Sequence, residues 1–104
     1  MSNLTLYEDP LVTIRLSEKP VSIGHIEIVP KRKATTINDL SEQEIEHLFF
    51  GASYSASILF EKLGAHGTNI ILNENNEQLT IHVIARKEGD GLDFSWTPHQ
   101  ASIP

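Results

Sequence analysis

Five histidines, 8 lysines and arginines, 14 aspartates and glutamates, and no cysteine set the chemistry open to this 104-residue chain. Without cysteine there is no thiolate nucleophile, no thiolate zinc site and no disulfide. The histidines are His25, His47, His66, His82 and His99, and no pair of them has a recognisable metal-ligand spacing, so neither a metal nor another cofactor is expected. His47 reads as a helix surface residue, and His66 and His99 fall in a turn and a tail. His82 stands in an alternating segment, Gln78-Leu79-Thr80-Ile81-His82-Val83-Ile84. A strand's period of two puts Gln78, Thr80, His82 and Ile84 on one face and Leu79, Ile81 and Val83 on the other. The dense basic cluster, Lys31-Arg32-Lys33, has two readings: a solvated loop, or a loop end that faces an anion.

The elements that must position these groups follow from the pattern. Leu4-Thr5-Leu6-Tyr7 alternates as a short strand, Glu8-Asp9-Pro10 is a turn, and Leu11 to Leu16 is a β-branched second strand. Gly24 opens a third strand, His25 to Val29, with Ile26 and Ile28 on one face and His25, Glu27 and Val29 on the other. Ser41-Glu42-Gln43-Glu44 is a capping box, and Leu40 and Ile45 have the spacing of a hydrophobic staple. The helix it starts runs to about Leu63, with Gly64 placed to end it. Ile45, Leu48, Phe49, Ala52, Ala56, Leu59 and Leu63 form the stripe expected to face the sheet. A second stripe, Phe50, Tyr54 and Ile58, is better buried by another subunit than left in water, which predicts self-association. Thr68 to Asn73 and Gln78 to Arg86 are the last two strands, joined by Glu74-Asn75-Asn76-Glu77. The sum is an α+β domain: about five antiparallel strands with one long helix packed on them.

Length predicts a single domain over residues 1–104, its last part (91–104) an extended tail. The formal charge of -6 speaks against nucleic acid or an anionic membrane as partner. The absence of cysteine and of a basic-then-apolar N-terminal run leads to the expectation of a cytoplasmic protein with no signal peptide.

Four blocks, in order, resemble the histidine triad (HIT) family: Tyr7-Glu8-Asp9; Gly24 to Arg32 with its Pro30-Lys31-Arg32 end; Gly64-Ala65-His66-Gly67-Thr68-Asn69-Ile70-Ile71; and Ile81 to Arg86. The likeness runs from about Leu6 to Pro98, and the block Glu88-Gly89-Asp90-Gly91-Leu92, leading to Trp96, looks most like archaeal and bacterial branches. The resemblance implies a nucleotide-binding homodimer that hydrolyses or transfers nucleoside monophosphate groups from phosphoramidates or dinucleoside polyphosphates. In the family the middle of three alternating histidines attacks the α-phosphorus. His82 takes the third position, Thr80 the nucleophile position and Gln78 the first. A threonine hydroxyl is a poor nucleophile without a positioned base. In the family a residue such as His25 is structural.

The resemblance therefore implies an eroded triad. Three functions remain open: a non-hydrolytic dimeric module that binds a nucleotide or another protein; an active nucleotidyl hydrolase or transferase that uses His82; or a protein-interaction subunit with no ligand. A retained nucleotide site is expected at Asn73, Gln78, Thr80, His82 and Arg86, drawing positive charge from Arg86 and Lys31-Arg32-Lys33. His82 is then either a donor to phosphate or a strand histidine bonded within the fold.

Overall fold

Asp9 makes the first turn. Its Oδ1 accepts the backbone N–H groups of Leu11 at 2.7 Å and Val12 at 2.9 Å, which reverses the chain between two strands. The computed structural model describes residues 4–98. Within them lie β1 (Thr5–Glu8), β2 (Val12–Leu16), β3 (His25–Pro30), the helix α1 (Glu42–Leu63), β4 (Gly67–Asn73) and β5 (Thr80–Arg86). A single turn of 3-10 helix, Ile37–Asp39, leads into α1. The strands form one antiparallel sheet in the order β1-β2-β3-β5-β4. This is the α+β architecture expected, one long helix on a five-stranded sheet. Residues 91–98 carry neither helix nor strand, and the rest of the expected tail, with His99, lies outside the described residues.

The capping box forms as its residue types require. The N–H of Glu44 donates to Ser41 Oγ at 3.1 Å, and the N–H of Ser41 donates to Glu44 Oε1 at 2.8 Å. Gly64 ends α1 with φ of 65°, a conformation that costs glycine little. The buried arc of α1 is Glu44, Leu48, Gly51, Ala52, Ser55 and Leu59. This corrects the expected stripe at Phe49, which is 43% exposed, while Leu63, 38% exposed, still lies against Gly24 just before β3. The arc centres on Leu48, Ser55 and Leu59, and a residue next to Leu48 sits about 100° round the helix from it. Gly51 enters the arc because its missing side chain lets α1 approach Ile14 and Ile28.

The core lies between α1 and one face of the sheet. Leu48 and Leu59 meet Ile26 and Ile28 of β3 and Ile81 and Val83 of β5 there. Since side chains alternate, the neighbours of these residues point away from the helix. His25, Glu27, Thr80 and His82 thus share the open face of the two central strands.

Candidate functional site

Register brings the site together. Glu27 of β3 stands opposite His82 of β5, His25 stands opposite Ile84, and Asn73 of β4 stands opposite Thr80. His25 Nε2 and His82 Nδ1 are 2.9 Å apart, with the ring planes tilted by 57°. His25 is buried, and the His82 side chain is 23% exposed. The Val21 backbone N–H donates to His25 Nδ1 at 3.2 Å. An acceptor Nδ1 cannot hold a proton, so the network assigns the neutral His25 proton to Nε2, which donates to His82 Nδ1. Neutral His82 then holds its own proton on Nε2. Burial first, and the neighbouring His82 second, push the His25 pKa below its ordinary value, which keeps it neutral. Glu27 Oε1 accepts from Arg15 Nε at 3.0 Å, and Glu27 Oε2 lies 3.8 Å from His82 Nδ1.

These groups floor an open groove of about 620 Å³. Arg15 and Lys19 line it, against the carboxylates of Glu18, Glu27 and Glu77. The charged lining is therefore net acidic.

Thr80 is buried, and its Oγ1–H donates to the carbonyl of Gln78 at 3.1 Å. The Gln78 N–H donates to Asn75 Oδ1 at 2.9 Å. Asn73 is exposed beside Thr80 at the end of β4. Asn73, Gln78, Thr80 and His82 thus gather toward one end of β5. Arg86 lies four residues beyond His82, about 13 Å along a strand. Its guanidinium donates to Asp90 Oδ2 at 2.7 Å, to Asn69 Oδ1 at 2.7 Å and to the Leu92 carbonyl at 3.0 Å. The Phe94 ring covers its Cζ at 5.1 Å. Arg86 therefore ties the segment after β5 to the sheet. Two residues of the basic cluster are also engaged within the fold. Lys31 Nζ is 2.6 Å from Glu8 Oε2, and Arg32 Nη2 is 2.7 Å from Glu44 Oε1. Of the two connector carboxylates, Glu74 accepts from the Ile37 N–H at 2.7 Å, while Glu77 faces the groove.

Glu27, Arg15 and the Val21 amide escaped the sequence reading. Alternation already put Glu27 on the face of His25, but nothing in the chain states that β3 pairs with β5.

Residues 2–89 match the HIT domain. The chain belongs to the HIT domain family. Among its relatives is the uncharacterized HIT-like protein MJ0866 of Methanocaldococcus jannaschii, 30% identical over 92 residues, which cover 83% of this chain and 70% of that one. The bis(5'-adenosyl)-triphosphatase of Dictyostelium discoideum is 30% identical over 78 residues, 69% of this chain and 52% of the relative, so the HIT chain spans about half of that enzyme. The crystal structure of a HIT family protein from Bacillus anthracis superposes with a TM-score of 0.84 at 24% identity, over 95% of this chain and 75% of that one. That likeness speaks to the fold. Among the described residues no helix is long and apolar enough to cross a membrane.

Proposed function

We propose that this HIT domain is a nucleotide-binding-type homodimeric module that does not perform nucleotidyl transfer. One observation carries the reading: the Thr80 hydroxyl is buried and donates to the Gln78 carbonyl. Covalent transfer needs a nucleophile that faces the ligand and a base that takes its proton. A backbone carbonyl is no such base, and the bond turns the hydroxyl back toward the segment that precedes β5. His82 does not replace it. Its Nδ1 is held by His25, and its Nε2 carries a proton, so neither nitrogen offers a free lone pair to phosphorus.

What His82 retains is one outward N–H, suited to donate to a phosphoryl oxygen. Arg15 and Lys19 add positive charge to the groove, and Glu18, Glu27 and Glu77 oppose it. The Dictyostelium relative acts on a diadenosine compound by its name, which makes adenosine nucleotides the first ligands to try. Calorimetric titration with AMP tests the reading. The expected result is weak binding that His82→Ala reduces further. Equal affinity in both proteins would remove His82 from the site. No binding at millimolar AMP would favour a second reading, an interaction subunit without a nucleotide, which the acidic lining of the groove supports.

A further inference from the structure

We propose that His25, Glu27 and His82 form a binding site for a divalent transition-metal ion of the zinc type, with one coordination position open to the groove. The proposal stands on the side chains alone and does not require the nucleotide reading. One ligand atom from each residue can be chosen so that all three lie within 4.8 Å of one another. The arrangement is a product of the sheet: His25 and Glu27 are two apart on β3, and β5 sets His82 directly opposite Glu27. Two imidazoles and one carboxylate are a donor set that zinc accepts, with a fourth position left for water or ligand. Such a set selects zinc-like ions over magnesium and calcium, which prefer oxygen.

The distances fit with small shifts. Metal–ligand bonds of about 2.0–2.2 Å place neighbouring donors of a tetrahedron about 3.3 Å apart. His25 Nε2 to His82 Nδ1 is 2.9 Å, and His82 Nδ1 to Glu27 Oε2 is 3.8 Å, one just short of that separation and one just beyond it. The surrounding shell suits two of the three ligands. Arg15 holds Glu27 by Oε1 and leaves Oε2 available. His82 already carries its proton on Nε2, the tautomer that ligation through Nδ1 requires. His25 is the obstacle, because ligation through Nε2 moves its proton to Nδ1, where the Val21 N–H now donates. Val21 is 48% exposed and lies in the irregular segment between β2 and β3, so its amide can turn to water. The net negative groove favours entry of a cation.

The test is a calorimetric titration of the tag-free, chelator-treated chain with Zn²⁺ alone. A parallel titration with Co²⁺ uses its visible absorption to report coordination. The proposal expects one ion per chain and about tenfold or greater weakening in each of His25→Gln, Glu27→Gln and His82→Gln. His47→Gln, which alters a histidine hydrogen-bonded to Asp9, should bind as wild type does. Absence of zinc binding, or binding undiminished in all three variants, overturns the proposal. So does equal affinity for Mg²⁺. Should the variants fold poorly, imidazole ¹⁵N shifts of the wild-type chain decide instead. Zinc must move the His25 proton from Nε2 to Nδ1, and unchanged His25 and His82 shifts at saturating zinc overturn the site.

Discussion

At the scale of single residues, Glu44 links sequence to stability most directly. Hydrogen bonds from Arg32 first, and from the Ser41 N–H second, hold its carboxyl down at about 2, below the usual range. The sign follows from that depression. The folded state prefers the ionised form, so the contribution is full above the unfolded carboxyl pKa near about 4.3 and is lost as pH falls toward 2. Thermal melts of wild type between pH 5 and about 2.5 should therefore show a steeper loss than melts of Glu44→Gln, whose side chain does not titrate. Parallel curves would contradict this. The capping half of the arrangement was legible, because Ser41 and Glu44 are three apart and the motif is local. The Arg32 half was not, since 12 residues separate the partners and only the fold joins them. The site divides in the same way. The face shared by Thr80 and His82 follows from strand alternation, while the His25–His82 bond spans 57 residues. Arg86 divides likewise: alternation puts it on the face of Thr80 and His82, while its three acceptors come from β4 and the segment after β5.

At the scale of elements, alternation and capping placed all five strands and the helix, with ends moved by a residue or two. The strand order was beyond the pattern, because β5 enters between β3 and β4 by long-range pairing. The helix face was off in part because apolar residues spread over more of α1 than the sheet can cover. One close approach fixes how α1 ends on the sheet. A Cβ on Gly24 would lie 2.7 Å from Leu59 Cδ2 and 2.9 Å from Ala85 Cβ. Leu59 has other rotamers, but the Ala85 Cβ is fixed to its strand. Gly24→Ala should destabilise the chain by about 1–3 kcal/mol through overpacking. Urea denaturation measures this, and an unchanged midpoint would show that α1 slides on the sheet without cost. Gly24 also adjoins His25, so a weaker response of this variant in the zinc titration would register a shifted β3 rather than a missing ligand.

At the scale of the whole molecule, β1 and β4 are the two ends of the sheet, and apolar side chains stand in water. Phe50 is 74% and Tyr54 55% exposed, beside Tyr7 and Ile14 on the β1 side of the helix. Phe60 at 66% and Ile70 of β4 at 47% add to the uncovered apolar surface. Burial of such surface against a second copy, with removal of an open edge, is the physical reason to expect a homodimer. Light scattering should report a mass twice the 11.6 kDa of one chain, and Tyr54→Glu should lower the dimer fraction. A single 11.6 kDa species at micromolar concentration would refute the dimer. The proposed function, the family fold without the family's covalent step, stands or falls on turnover. Purified chain is incubated with diadenosine triphosphate and with adenosine phosphoramidate, with and without added zinc. Product is followed by chromatography, and the chain by intact mass. No AMP release above the chain-free control and no adenylyl adduct are expected in any of these conditions. AMP release that persists through further purification and disappears in His82→Ala would contradict the proposed function.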